Sequence, residues 1–179
     1  PYGIPITVAS NATPRVSVKF LYASESDRVG YPLTSRTKVE GWQWQYADRH
    51  TITINKDTCR LYETWATTRN GSRWEAGSGA TWSLKSNRLR PDTWTSADAA
   101  GLPIFPGILR LDEVKALNIG HAIRFTTPVI DNTYLWPARH RAGTVNDRNF
   151  PPMGARFRLK ASYVIKSSLR AETKAVLKA

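Results

Sequence analysis

Cysteine is almost absent from this chain of 179 residues, which carries only Cys59. A single cysteine excludes an intramolecular disulfide framework and a zinc site built from cysteine pairs. The sequence also lacks any run of 18 or more apolar residues, so we expect no transmembrane helix. It has no N-terminal signal peptide. However, it opens as PYGIPITV, as a processed product would, so the missing signal is not an argument for the cytoplasm.

Acidic residues are scarce as well. The chain has 14 Asp and Glu against 26 Lys and Arg, which gives a net charge of +12. Residues 139–179 hold ten basic residues and two acidic ones, a net +8. A block of this sign attracts anions, and the classes to consider are nucleic acid, an acidic polysaccharide and a membrane surface. A solvated basic face without a dedicated partner is the alternative.

The strand-like segments predict an all-β fold. Each has β-branched or aromatic residues at alternate positions, and turn residues separate neighbouring segments. We therefore expect an antiparallel β-sandwich or jelly roll, formed as one domain by residues 1–179, because the length is that of a single core. The predicted strands are 14–22, 49–55, 59–67, 79–84, 121–127 and 155–165.

Helix signals are few. The stretch TSAD at 95–98 has the spacing of a capping box and predicts one helical turn. Residues 111–117 predict a second short turn. Residues 167–179 begin with N-cap residues and end with helix formers and lysines, which predicts a C-terminal helix that we expect to continue beyond residue 179.

The three histidines are candidate functional residues because His50 and His121 lie at the start of predicted strands and His140 ends the aromatic, strand-like stretch TYLWPARH at 133–140. His50 shares a face with Ile52 and Ile54, so it is expected to point inward. His121 and His140 have similar contexts. Three imidazoles on three strands could meet at a transition-metal ion such as zinc, copper or iron, although no short spacing links any two of them. The alternatives are a packing role and a catalytic base.

Asp48 is the candidate partner of His50. It precedes the histidine by two residues, so in a strand both side chains would lie on the same face. A carboxylate there would hold the imidazole in one tautomer, as a general base requires. The alternative is that Asp48 closes the turn before the strand.

Tryptophans on proline-rich loops are candidate binding residues. Trp42 and Trp44 share a face of an extended segment, and Trp136 lies close to Tyr134 and His140 in the sequence. Exposed aromatic planes stack on sugar rings or nucleobases, and nearby arginines bind carboxylates or phosphates. Core packing is the alternative for Trp42 and Trp44.

The last predicted strand carries three cations on one face. Arg156, Arg158 and Lys160 alternate with apolar residues, which would place them in a row about 7 Å apart. Such a row would be a track for an anionic polymer or a charged strand that resists edge pairing.

Several blocks of the sequence together resemble a family of secreted, mostly bacterial proteins of unassigned activity. The resemblance covers most of the chain and implies an extracellular location, and all three histidines fall within its motifs. The blocks are DRH at 48–50, LYE at 61–63, AGSGATWSLKSNRLRP at 76–91, WTSADAAGLPIFPG at 94–107, HAIRFT at 121–126, WPARH at 136–140 and PPMGARFRLKAS at 151–162.

The leading hypothesis is a secreted enzyme that cleaves an acidic polysaccharide. In a lyase, Arg124 or Arg139 would neutralise a uronate carboxylate, and His50 or His140 would remove the neighbouring proton. Tyr134 would then protonate the leaving oxygen, while Asp48 would orient its histidine. In a hydrolase, two carboxylates would act together, and they would come from Asp48, Asp98, Asp112 or Glu113.

Two other hypotheses belong to different classes. A non-catalytic, lectin-like module would bind sugar through the three tryptophans of the proline-rich loops. A three-histidine metalloprotein, with redox activity as one option, would need His50, His121 and His140 to converge. Nucleic acid fits the charge, but the long proline-rich loops and the resemblance disfavour it. The sequence does not indicate an oligomeric state.

Overall fold

The computed structural model describes residues 3–41 and 47–179 of the chain. In this part of the protein, β-strands predominate and the helices are short, so the predicted β-rich class is confirmed. The described strands are β1 (Ile6–Ala9), β2 (Val18–Phe20), β3 (Thr51–Asn55), β4 (Arg60–Trp65), β5 (Thr68–Asn70), β6 (Arg73–Ala76), β7 (Ser78–Ser83), β8 (Asp131–Tyr134) and β9 (Pro152–Met153).

The helical segments are few. Two 3-10 turns lie at Ala23–Glu25 and Phe105–Gly107, and two α-helices are α1 (Leu111–Lys115) and α2 (Ala171–Lys178). Both α-helices lie within segments that the sequence marked as helical. In the described part of the chain, no helix is both long enough and apolar enough to cross a bilayer.

The main sheet contains four of the described strands in the order β1-β3-β4-β7. β3 and β4 form a hairpin whose turn is closed by the Asn55 side chain, which accepts backbone N–H groups of Asp57 (3.0 Å) and Thr58 (3.1 Å). This use of an asparagine side chain is the Asx-turn chemistry that the sequence at 55–57 predicts. β5, β6 and β2 form a second sheet, and β8 pairs with β9.

The sheets are mixed, so the prediction of a purely antiparallel arrangement is wrong. The pairs β1-β3, β2-β6 and β8-β9 run parallel, while β3-β4, β4-β7 and β5-β6 run antiparallel. Alternation of apolar and polar residues identifies a strand but not the direction of its partner. Only the short hairpin turns fix a direction, and they fix it for β3-β4 and β5-β6.

The main sheet is buried on both faces. On one face, side chains of the sheet pack against residues 94–108; this cluster includes Ile52, Leu61, Ala80, Trp82, Ala97 and Ile104. On the other face, Tyr62 of β4 packs with residues of the second sheet in a cluster that includes Phe20, Tyr31, Trp74 and Ala76. Both faces of one strand therefore contribute to the core, which explains why 61–64 is buried without interruption.

Two predicted strands are not formed. Among the described residues, neither 121–127 nor 155–165 contains a strand. Both segments have the alternating pattern, but a strand also needs a neighbouring edge with free N–H and C=O groups. In 121–127, the Arg124 N–H donates to the Gly107 carbonyl (2.8 Å), a bond to a loop. The predicted row formed by Arg156, Arg158 and Lys160 therefore loses its strand geometry.

The predicted helical turn at 95–98 is also wrong. The Ser96 hydroxyl lies within hydrogen-bond distance of the carbonyls of Asp98 (2.8 Å) and Leu102 (2.6 Å), which share its one proton, and it accepts the Asp98 N–H (3.0 Å). A serine side chain that satisfies local backbone groups competes with helical hydrogen bonding. As a result, the segment forms non-helical bends.

Candidate functional site

The segment 94–107 is here called the central loop. It packs on one face of the main sheet and is held there by polar side chains that lie in the sheet or next to its strands. The Ser78 hydroxyl donates to the Ser96 carbonyl (2.6 Å), and a ring nitrogen of His50 lies 3.1 Å from the Ala97 carbonyl. Ala97 and Ile104 of the loop are themselves in the core. Buried backbone groups of a loop require such partners. The sheet therefore fixes the loop through specific hydrogen bonds as well as through packing.

His50 is one of these anchors, and only 5% of the residue is exposed. Its Nδ1 lies 2.6 Å from a carboxylate oxygen of Glu40, and its Nε2 faces the Ala97 carbonyl. Both ring nitrogens are therefore engaged by protein groups, one by a carboxylate and the other by a backbone carbonyl. Neither nitrogen is directed at an open site where a substrate could lie. The arrangement therefore favours a positioning role over the predicted catalytic one.

Glu40, and not Asp48, is the carboxylate that orients His50. One Glu40 carboxylate oxygen also accepts the His50 backbone N–H (3.2 Å). Asp48 is exposed, and its backbone carbonyl accepts the Ala66 N–H (2.9 Å). The prediction failed because Arg49 has a positive φ of 55°, which breaks the strand alternation between 48 and 50.

Glu63 is a second anchor of the central loop, and the sequence analysis missed it. This fully buried side chain accepts the backbone N–H groups of Ile104 (2.9 Å) and Phe105 (2.8 Å) at the start of the 3-10 turn. Desolvation by burial outweighs these two hydrogen bonds and raises the pKa of Glu63 to about 7. Its signal was present in LYETW, where Glu63 falls on the same face as Leu61 and Trp65.

His140 has a different environment from His50. Its Nδ1 donates to the Ala99 carbonyl (2.8 Å), which leaves the lone pair of the neutral ring on Nε2. Nε2 lies 3.9 Å from a carboxylate oxygen of Glu25, which in turn accepts the Thr95 N–H (3.1 Å). The His140 ring is partly exposed. A proton taken up at Nε2 would therefore face a carboxylate, as the conjugate acid of a general base requires.

Arg139 and Tyr134 meet at Asp92. The Tyr134 hydroxyl donates to a carboxylate oxygen of Asp92 (3.0 Å), and the Arg139 guanidinium lies 3.2 Å from the same oxygen. The hydrogen bond to Asp92, followed by desolvation, raises the pKa of Tyr134. The phenol is therefore held in its protonated form. Tyr134 and Arg139, both predicted site residues, thus lie side by side at Asp92, which was not among the predicted site residues.

Arg124 is engaged by Asp98, with 2.6 Å between the guanidinium and the carboxylate. The two side chains join the central loop to the segment that follows α1. Asp98 thereby loses the capping role predicted for it, and Arg124 has a structural partner in place of a substrate carboxylate. Both side chains are largely covered.

Trp136 and Arg156 form an exposed pair. Trp136 is 71% exposed, and the guanidinium carbon of Arg156 lies 6.0 Å from the centre of the indole ring. This distance is within the range of a cation–π contact. The pair places a flat aromatic surface and a positive charge side by side in solvent. The indole of Trp136 is thus accessible to a ligand.

The other predicted binding residues are less informative. Arg158 and Lys160 are exposed on a segment that is not a strand. Trp42 and Trp44 lie outside the described residues. The structure therefore tests neither tryptophan.

His121 is paired with Glu113 of α1. Its Nε2 lies 3.1 Å from both carboxylate oxygens, while its Nδ1 faces the Ala122 carbonyl (3.0 Å). The Ala122 carbonyl and then the Glu113 carboxylate raise the pKa of His121. At Glu113, partial desolvation acts to raise the pKa of the carboxyl. The hydrogen bonds from His121 and from the Arg110 N–H outweigh it, so the pKa of Glu113 is lowered. These contacts tie α1 to the following segment.

The three histidines do not form the predicted metal site. His50 contacts Glu40 and Ala97, His121 contacts Glu113, and His140 contacts Ala99. Within residues 3–41 and 47–179, no cluster of three or more His, Cys, Asp or Glu side chains has an arrangement that could hold a metal ion. The geometry of the described residues therefore does not fit the three-histidine hypothesis.

Comparisons of the chain with protein-family models, with curated proteins and with solved structures each found no match.

Proposed function

We propose that the protein binds an acidic polysaccharide through the Trp136 surface, defined here as Tyr134, Trp136, Arg139, His140 and Arg156. The observation that carries the proposal is the exposed indole of Trp136 with the Arg156 guanidinium beside it. An indole face stacks on the apolar face of a sugar ring, and a guanidinium pairs with a uronate carboxylate. A polymer of uronic acids presents both features in every repeat.

The charge distribution supports an anionic ligand. Four of the five residues of the Trp136 surface are polar or basic. Three of the five lie within residues 139–179, the block with a net charge of +8. The field of such a block increases the local concentration of a polyanion before contact is made. We place the protein outside the cell, as the resemblance to a secreted family implies. We also infer that the two sheets that meet around Tyr62 form a sandwich.

The binding proposal is tested with matched substitutions. We expect Trp136→Ala to weaken binding to polygalacturonate by roughly tenfold, because an aromatic stacking surface is lost. Tyr22→Ala removes another exposed aromatic side chain, on a different part of the chain, and should leave the affinity unchanged. Isothermal titration calorimetry of the two variants gives the comparison. An equal affinity of wild type and Trp136→Ala would refute the proposal.

A second candidate function, β-elimination of the bound polymer, is favoured by the geometry of His140. In this reaction His140 Nε2 would take the proton from the carbon next to the uronate carboxylate, and Arg139 would stabilise the negative charge that develops there. The C–O bond to the leaving sugar would break as the C=C bond forms. Tyr134 would give its phenolic proton to the leaving oxygen. A hydrolase is less favoured because Asp98 and Glu113 are held by Arg124 and Arg110.

The catalytic candidate is separated from simple binding by His140→Asn. Asparagine can still donate a hydrogen bond to the Ala99 carbonyl, but it has no nitrogen that accepts a proton. We expect this variant to bind polygalacturonate normally and to form no unsaturated products, as followed by their ultraviolet absorbance. His121→Ala serves as the control and should retain turnover. If the wild type forms no products, the protein binds without cleaving.

A further inference from the structure

A second exposed surface lies in the segment 156–166, which follows β9. Within the described residues this segment contains no helix or strand, and its residues 156–164 are all exposed. Phe157 is 64% exposed and Val164 is 80% exposed, and Leu159 and Tyr163 are exposed between them. Single exposed apolar residues are common on protein surfaces, but four within eight residues indicate an interaction site.

The aromatic part of this surface is anchored to a neighbouring segment. Phe125 and Phe157 pack edge to face with their ring centres 5.4 Å apart, although both residues are more than half exposed. The contact fixes where the segment lies and leaves an aromatic pair facing solvent. The surface is thus attached to the rest of the fold.

The surrounding charge has one sign. Between Asp147 and Glu172 the sequence contains no acidic residue and six basic ones, a net +6 over 24 residues. Arg158, Lys160 and Lys166 alternate with the exposed apolar side chains. A partner must therefore offer negative charge and an apolar environment at the same place.

We propose that this surface, comprising Phe125, Phe157, Val164, Arg158, Lys160 and Lys166, docks on membranes that contain anionic phospholipid. Aliphatic side chains such as Val164 have no flat face for stacking on a sugar, but they do enter the boundary between headgroups and acyl chains. Aromatic rings favour the same depth, and flanking cations attract anionic headgroups. This inference rests on Phe125, Phe157 and Val164, none of which belongs to the Trp136 surface, so it does not depend on the polysaccharide proposal.

The test uses the whole chain and sedimentation with lipid vesicles. We expect the protein to bind vesicles of phosphatidylcholine mixed with phosphatidylglycerol, and not vesicles of phosphatidylcholine alone. Binding should weaken about tenfold or more in the double variant Phe157→Ser with Val164→Ser, and likewise in Arg158→Ser with Lys160→Ser. Val8→Ser and Arg73→Ser alter an exposed apolar and an exposed basic residue on β1 and β6, and both should bind like the wild type.

Three results would overturn the inference. The first is a wild type that binds neither kind of vesicle, and the second is equal binding by the wild type and both double variants. The third is binding of soluble polygalacturonate that depends on Arg158 and Lys160 without any vesicle binding, which would assign the surface to a glycan. Because the charge variant keeps every apolar contact of the segment, it decides the outcome if the apolar variant fails to fold.

Discussion

Glu63 shows how a single buried carboxyl connects the sheet to the central loop. It lies on the apolar face of β4, opposite Ala80 of β7, and accepts two backbone N–H groups of the loop. Burial of an unpaired carboxylate is costly, which is why the group retains its proton to a higher pH than usual. The loop is therefore held by a side chain whose charge changes near neutral pH.

This arrangement predicts a pH-dependent stability. The pKa of Glu63 is about 7 in the folded protein against 4.5 for an unperturbed glutamate, so the folded state binds more protons between these values. The free energy of unfolding should fall as pH rises from about 4.5 to about 7, by up to about 3 kcal/mol from this group, and then level off.

The contribution of Glu63 is isolated by Glu63→Gln. This variant has no carboxyl at position 63, so its unfolding free energy should lack that part of the decrease. Urea denaturation of both proteins at pH 5 and pH 8 measures the difference. Identical pH dependence in wild type and variant would show that Glu63 does not titrate in this range.

At the level of single residues, the sequence indicated orientation but not partners. His50 and Glu63 both stand on apolar faces of strands, and that alternation was visible in RHTITI and LYETW. The partners were not, since Glu40 precedes His50 by ten residues on a loop, and Ile104 follows Glu63 by 41 residues. Contacts between distant segments depend on how the chain folds back, which a local pattern does not encode.

At the level of elements, the central loop depends on the contact between His50 and Glu40 beneath it. His50 is held by Glu40 and in turn contacts the Ala97 carbonyl. Replacing the carboxylate by a neutral amide would weaken the hydrogen bonds at the His50 ring and backbone N–H, because a charged acceptor forms the stronger bonds. The loop also carries the Ala99 carbonyl that fixes His140, so this anchor contributes indirectly to the candidate site.

We therefore expect Glu40→Gln to lower the free energy of unfolding by about 1 to 3 kcal/mol. Asp48→Asn makes the same chemical change at an exposed position and should stay within about 0.5 kcal/mol of the wild type. Urea titrations at neutral pH compare the two variants. A larger effect of Asp48→Asn than of Glu40→Gln would restore Asp48 as the partner of His50.

The strand prediction succeeded at the centre of the main sheet, but it missed β1 and β6 and failed at 155–165. Residues 49–55 and 59–67 combine β-branched residues with marked turns, and β3 and β4 form there. Residues 155–165 have an equally regular alternation, yet residues 156–164 are exposed and the segment contains no strand. In this segment, basic residues alternate with apolar ones as Arg, Phe, Arg, Leu and Lys. Such a composition is compatible with an exposed interface as well as with a strand.

On the scale of the whole molecule, charge is the dominant feature. The net charge of +12 is concentrated in residues 139–179, which supply part of the Trp136 surface and most of the surface around Phe157. The order of the strands and the parallel pairs could not be derived from the sequence. Parallel strands are joined by long crossover connections, and such connections have no short turn motif that could be recognised. The position of the basic block was visible from the sequence alone.

We propose that the protein recognises an acidic polysaccharide by its carboxylates and its sugar faces together. The most direct measurement is a calorimetric titration of the intact protein with polygalacturonate and with the same polymer fully methyl-esterified. The two ligands share their rings and differ in charge. We predict that the free acid binds at least about tenfold more tightly, and that this advantage shrinks as salt is added. Equal affinity for both polymers, or no binding to either, would contradict recognition through the carboxylates.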